Sequence, residues 1–195
     1  MWFPMTQKTA YSVNGSCVKL INLRRIDHLS IMQIQKMRKE DIQGYIDCES
    51  RIWESLKGNM PEEFIERNLS WIKRDGAKDA WMRVIDDPNW IVLVAVDEGS
   101  VIGMIQGRVD WSRLSSLGFL GVDDRHRRKG IAKTLLDSYT EESKNKGAEK
   151  ISLYTSPTLK PAVKLYAERG FIPEGFLSRH RLGVDMIIYS KFLTP

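Results

Sequence analysis

The segment richest in chemistry is Arg125-His126-Arg127-Arg128-Lys129, followed at once by Gly130-Ile131-Ala132. It lies between an apolar run, Leu117-Gly-Phe-Leu-Gly-Val122, closed by Asp123-Asp124, and a helical pattern that continues to Lys146. The first turn of a helix has N–H groups with no internal partner, and the macrodipole adds positive potential there. Gly130 and Ala132 are small enough to let a ligand approach the backbone, and Arg127, Arg128 and Lys129 add formal charge. Polyanionic phosphate is the natural guest. Gly130-Ile-Ala-Lys133-Thr134 lacks the spacing and the lysine position of a P-loop, and no G-x-G-x-x-G fingerprint is present. Nucleotide triphosphatase and dinucleotide-dehydrogenase readings therefore fall. The second chemical candidate is Tyr166, in Pro161-Ala-Val-Lys-Leu-Tyr-Ala-Glu-Arg-Gly170-Phe171. By itself it is a packing residue, since Ala162, Leu165 and Tyr166 share a helical face.

The elements that must position these residues follow from hydrophobic period. Ile31 to Lys36 predicts a strand, and Lys39-Glu40-Asp41 opens a helix carrying Ile42, Tyr45, Ile46, Ile52 and Trp53. Pro61-Glu62-Glu63 starts a second helix with Phe64, Ile65, Leu69 and Ile72. Gly76 interrupts it, and Trp81, Val84 and Ile85 are expected to continue it by a turn or two. Trp90–Val96 and Val101–Val109 predict a hairpin across Asp97-Glu-Gly-Ser100. Leu117–Val122 is a further strand, whose Gly118 and Gly121 suggest a bulge or a close backbone approach. A helix over 130–146, a strand over 151–155, a helix over 159–169 closed by Gly170, and strands over 171–177 and 182–192 complete the order. The expected fold is α/β (α+β): a mixed, mostly antiparallel central sheet with helices on both faces.

Composition bounds the rest. The chain has 195 residues, 42% hydrophobic and 28% charged, which suits one compact domain. The regular pattern begins at Met32, so residues 32–195 are expected to form the catalytic-looking domain and 1–31 an N-terminal extension of uncertain status. Within that extension, Val18 to Leu23 offers one short strand or docking segment. No apolar run approaches the roughly 20 residues of a membrane helix, and no signal-peptide core follows Met1, so a cytoplasmic protein is expected. Two cysteines, Cys17 and Cys48, and three scattered histidines, His28, His126 and His180, argue against a disulfide scaffold or a metal site. The formal net charge of +5 says less than the clustering of cations at 125–129. That cluster lacks interleaved aromatics, which argues against nucleic acid.

Arg127-x-x-Gly130-x-Ala132, preceded by Leu120-x-Val122, resembles the R/Q-x-x-G-x-G/A segment of the GCN5-related N-acetyltransferase superfamily. Further on, Ala162-x-x-Leu165-Tyr166-x-x-x-Gly170-Phe171 is similar to that family's A-x-x-L-Y-x-x-x-G-F, with a strand between the two motifs. The closing Gly183-x-Asp185-Met186 to Lys191-Phe192-Leu193 also looks like the family's last strand, and the resemblance spans Met32 to Leu193. It implies a GNAT-like fold with acetyl-CoA as co-substrate and no metal. Leu120 and Val122 would pair with pantetheine. Arg127, Arg128, Lys129, Gly130, Ile131, Ala132 and Lys133 would form the rest of the cofactor set, with Arg128 to Lys133 cradling pyrophosphate. Two positions depart from the pattern. Leu159 stands where the family often has asparagine, and Asp124 where it often has proline.

The resemblance implies direct acetyl transfer to an amine of a small molecule or a protein or peptide. Main-chain N–H groups of a splayed strand near Leu120 would polarise the carbonyl, and Tyr166 would be the acid for the leaving thiolate. Cys17 and Cys48 match no catalytic cysteine. The general base has no fixed motif position, and Glu54, Glu63 and Asp110 are candidates by proximity to the acceptor segments. Trp53, Trp71, Trp81 and Trp111 are candidates for an acceptor pocket. A homodimer is an expectation from the family's habit of pairing. The alternative function is a non-catalytic acyl-CoA-binding sensor or interaction module.

Overall fold

The structure is a computed structural model describing residues 10–13, 16–22 and 31–193, with side chains from residue 32 onward. One sheet runs through it in the order β1-β2-β3-β4-β5-β6-β7-β9-β8. Its strands are β1 (Ala10–Val13), β2 (Ser16–Asn22), β3 (Ile31–Lys36), β4 (Trp90–Asp97), β5 (Ser100–Val109), β6 (Leu114–Val122), β7 (Lys150–Thr155), β8 (Ile172–Arg181) and β9 (Val184–Phe192). Every neighbouring pair is antiparallel except β6 and β7, as a mixed, mostly antiparallel sheet requires. β2 covers the expected Val18 strand as far as Asn22, while Leu23 lies outside the described residues. Residues 1–9, 14–15 and 23–30 of the expected extension lie outside them too.

Five helices flank the sheet: α1 (Ile42–Glu54), α2 (Glu62–Ile72), α3 (Ala77–Asp86), α4 (Ile131–Asn145) and α5 (Lys160–Glu168). A 3-10 turn at Lys39–Asp41 leads into α1, and Asp41 ties it to Arg38 and Gln35. The expected continuation of α2 is instead a separate helix. Gly76, at φ 75°, reverses the chain before Ala77, so Trp81, Val84 and Ile85 belong to α3. Among the described residues no helix is long and apolar enough to cross a membrane.

Strand alternation sorts the core into two layers. Ile91, Leu93 and Ala95 of β4 pack with Ile131, Leu135, Leu136 and Tyr139 of α4 and with Tyr166 of α5. Val92 and Val94 turn the other way, onto Tyr45, Cys48 and Ile52 of α1 and Ala77 of α3. A third cluster joins α2 (Phe64, Ile65) to β9 (Val184, Met186), with Trp53, Leu159 and Leu177 against it.

The parallel ladder is short. β6 and β7 pair only from Leu114–Leu117 to Lys150–Leu153. The ladder ends where β6 bulges against β5: Gly107 pairs with Leu117 and Gln106 with Phe119, so Gly118 is the extra residue. Beyond it β6 runs on to Val122 with one edge on β5 and the other open among the described residues. Packing locks the bulge from behind. A Cβ on Gly107 would fall inside contact distance of the Tyr139 hydroxyl and the Ser116 carbonyl oxygen, and 2.9 Å from Leu117 Cα. The Tyr139 hydroxyl is itself fixed to Ser115 Oγ at 2.8 Å, and Ser115 Oγ lies 2.9 Å from Ser143 Oγ. Gly107→Ala is therefore expected to cost about 3 kcal/mol by overpacking. Gly175→Ala, whose Cβ would meet nothing closer than Ile188 at 3.4 Å, is the control and should cost far less. Equal chemical-denaturation midpoints for the two variants would refute the locked bulge.

Candidate active site

The turn between β6 and α4 is built to present backbone N–H groups. Gly130 precedes α4 at φ 80° with no side-chain cap, and Arg128 lies at φ 63°. The first bond of the helix runs from Thr134 N–H to Gly130 O at 3.1 Å. The N–H groups of Arg128 through Lys133 have no protein acceptor among the described residues. Left-handed residues ahead of a helix start gather such groups into an anion-binding concavity. A Cβ at Gly130 would meet nothing within 4 Å, so the concavity has room for a guest.

Asp123, fully buried, anchors the turn. Its carboxylate accepts from Arg125 Nη2 at 2.8 Å, Arg125 Nε at 3.0 Å and Arg51 Nε of α1 at 2.8 Å. The Arg125 hydrogen bonds, then Arg51, hold it far below the usual carboxylate range despite burial. This corrects the reading of residues 125–129 as one phosphate-facing cluster. Arg125 is turned onto Asp123, and His126 Nδ1 lies 3.9 Å from the same carboxylate. Arg128, Lys129 and Lys133 are exposed at the concavity without ion pairs among the described residues.

The open edge of β6 continues from this concavity. Asp123 N–H donates to Ile102 O of β5 at 2.9 Å, so antiparallel alternation turns the main-chain groups of Val122 and Leu120 to the open side. Arg127 marks that edge. Its Nε donates to Val122 O at 3.2 Å and its Nη2 to Ser55 Oγ, at the end of α1, at 2.6 Å. The side chains of Val122 and Ile131 are buried in the core, so these two residues can offer a ligand only their main chain.

Tyr166 is 5% exposed, its ring against Phe171 at 5.6 Å and Tyr189 at 6.3 Å. Burial pushes its phenol well above its ordinary value, so it remains a neutral donor. Leu159, the departure from the asparagine pattern, joins the cluster of α2, β8 and β9. Asp124 is exposed in the turn, and its carbonyl receives Arg127 N–H. The tryptophans separate. Trp53 packs at a tilt against Phe119 of β6 (5.6 Å) and edge-on against Phe64 of α2 (5.8 Å), beside the open edge. Trp81 packs on Tyr45 at 4.5 Å, Trp71 carries the Arg74 guanidinium, and Trp111 is 96% exposed at the β5–β6 loop.

The three candidate bases do not converge on the point where β6 and β7 part. Glu54 pairs with Lys73 at 3.3 Å, Glu63 is exposed, and Asp110 is tied to Ser112 and Leu114 in its own loop. The carboxylate that sequence reasoning missed is Glu49 of α1. It is 7% exposed, one turn before Trp53 and one turn after the buried Tyr45. Only its place on the helix's apolar face signals it. Burial raises its carboxyl to about 7. Folding thus favours protonated Glu49, and the contribution is full below its ordinary 4.5 and lost as pH rises through about 7. The wild type should lose on the order of 3 kcal/mol across that window, and Glu49→Gln should lack the slope. Identical stability–pH profiles for the two proteins would exclude this account.

The acetyltransferase (GNAT) family model matches residues 50–171. A stretch of 90 residues is 33% identical to an N-alpha-acetyltransferase of Saccharolobus solfataricus, covering 40% of this chain and 54% of that protein. The chain thus spans about half the length of this curated relative. A PaiA N-acetyltransferase of Thermoplasma acidophilum, solved in complex with coenzyme A, superposes with a TM-score of 0.69 at 24% identity, covering 83% of this chain and 98% of that one. An acetyltransferase of the GNAT family from Streptococcus pneumoniae gives 0.70 at 19% identity, with the same coverages. These two likenesses are of fold. The matched span takes in the open strand, the basic turn, α4 and Tyr166, and on it the chain belongs to the acetyltransferase (GNAT) family.

Proposed function

We propose that the protein transfers an acetyl group from acetyl-CoA directly to an amine. The observation that carries this reading is the continuity of the unpaired N–H groups of Arg128–Lys133 with the open edge of β6 at Leu120 and Val122. The first suits a pyrophosphate and the second the amides of a pantetheine arm, so the residues present fit coenzyme A. Arg128, Lys129 and Lys133 add charge around Gly130, Ile131 and Ala132. Arg127 must exchange its bond to Val122 O for one to the ligand, or release it.

In the reaction the neutral amine attacks the thioester carbonyl carbon. A C–N bond forms, the C–S bond breaks, and the amine proton passes to solvent or a base. Tyr166 holds the leaving sulfur by a hydrogen bond. Complete proton transfer from so buried a phenol to a thiolate, whose thiol titrates near 8.5, runs uphill. Its service is stabilisation of charge on sulfur as that charge develops. Burial leaves Cys48 with a thiol pushed up to about 12, which suits attack without an acyl-enzyme.

The acceptor is an amine of a small molecule or of a protein or peptide. The name of the Saccharolobus relative favours an α-amino group. A homodimer, a cytoplasmic location and the division into an extension (1–31) and a domain (32–195) are part of the same proposal. Two cysteines in 195 residues fit a reducing compartment, and the family match starts well inside the proposed domain. A non-catalytic acyl-CoA binder is the reading that the burial of Tyr166 favours. The two separate in one assay of thiol release from acetyl-CoA with a panel of amines. Tyr166→Phe should lower turnover by about 10² and leave the Kd for coenzyme A within about threefold. Full turnover in that variant would remove Tyr166 from the chemistry. Acetyl-CoA binding with no thiol release from any acceptor would establish the binder.

A further inference from the structure

We infer that the acceptor carries a carboxylate close to its reacting amine, bound by the cationic end of the β8–β9 hairpin. The inference rests on the acetyl-transfer reading.

Tyr154 follows Leu153, the last residue of β7 laddered to β6, and in unbroken register it would stand opposite Gly118. It therefore marks the point where the two strands part. Ile151, Leu153 and Thr155 are buried, the first two in the cluster of α4 and α5, so alternation turns Tyr154 to the other face, where α1 and α2 lie. Its ring is 49% exposed. His180 of β8 stacks on it, with centroids 5.7 Å apart and planes 11° apart, and the Arg181 guanidinium lies 5.9 Å from the same ring.

The hairpin reaches Tyr154 because it is bent. Its register slips between Leu177 and Arg181, with Arg179 and Leu182 both at φ 48°. Asp185 fixes the bend by accepting Arg179 N–H at 2.8 Å. Its carboxylate is thus engaged with main chain. Neither the Arg179 nor the Arg181 side chain pairs with a carboxylate among the described residues. The Arg181 guanidinium and the His180 imidazole thus flank the point where β6 and β7 part. A polyamine, with several ammonium groups, is repelled by Arg181. An amine with a neighbouring carboxylate meets a planar, bidentate donor. Two sources share that chemistry: the α-carboxylate of a free amino acid, and an acidic side chain near the N-terminus of a peptide.

The test measures kcat/KM for thiol release by the full chain with matched acceptors. These are free amino acids against their carboxamides, peptides with Glu against peptides with Lys at the second position, and spermidine. The carboxylate-bearing member should win by roughly tenfold in at least one pair, and the pair that responds identifies the source. Arg181→Glu, a surface change, should invert that preference while leaving the Kd for coenzyme A unchanged. Brisk thiol release with the carboxylate-bearing member preferred in neither pair, or with spermidine preferred over every carboxylate-bearing acceptor, overturns the inference and leaves acetyl transfer standing. Acetyl-CoA binding with no release from any acceptor overturns acetyl transfer and the inference together.

Discussion

The site depends on a parallel ladder that stops early. Four residues of β6 pair with four of β7, and then the strands part. Backbone N–H and C=O groups buried without partners cost free energy comparable to a lost hydrogen bond. A sheet can open in its middle only where something else will take up those groups, or where solvent reaches them. Here the opening is imposed by an extra residue, Gly118, held from behind by a contact at Gly107 that leaves no room for a side chain. The unpaired edge is thereby maintained in the folded chain and is ready for a ligand that is itself an amide chain.

The second dependency is electrostatic. A buried carboxylate, Asp123, gathers Arg125 from the turn and Arg51 from α1. A buried charge must be paired and hydrogen-bonded or it is expelled, and Asp123 is saturated by guanidinium and main-chain donors. The geometry of the turn before α4 is set from α1 as much as from α4. Two members of the basic run are thus structural, Arg127 is bound to Val122 and Ser55, and Arg128 and Lys129 face outward.

Much of this was legible in the sequence. The strands and helices followed from period, and the strand–turn–helix at 117–146 from glycine, charge and apolar spacing together. Three things were not. Gly76 reads as an interruption in either case, and period alone cannot tell a break followed by a new helix from a helix resumed. Asp123 and Asp124 are adjacent acids with nothing local to separate them, yet one is buried and anchors the turn while the other is exposed. Glu49 is one more polar residue on a helix that has many, and nothing in its local spacing marks it as the buried one. Each miss has the same cause: long-range packing decides the outcome, and local spacing does not record it.

Leu159 has replaced the asparagine pattern with a packing contact to α2 and the hairpin strands, and Thr158 beside it touches Met60 of the α1–α2 loop. The α1–α2 loop thus bridges to the β7–α5 loop. On the acetyl-transfer reading, the donor's end of the site is written almost wholly in main-chain atoms, and the proposed acceptor's end in side chains: Trp53, Phe119, Tyr154, Arg181. Drift in sequence leaves the first nearly untouched and rewrites the second. One scaffold can in this way keep a constant currency while changing its customers.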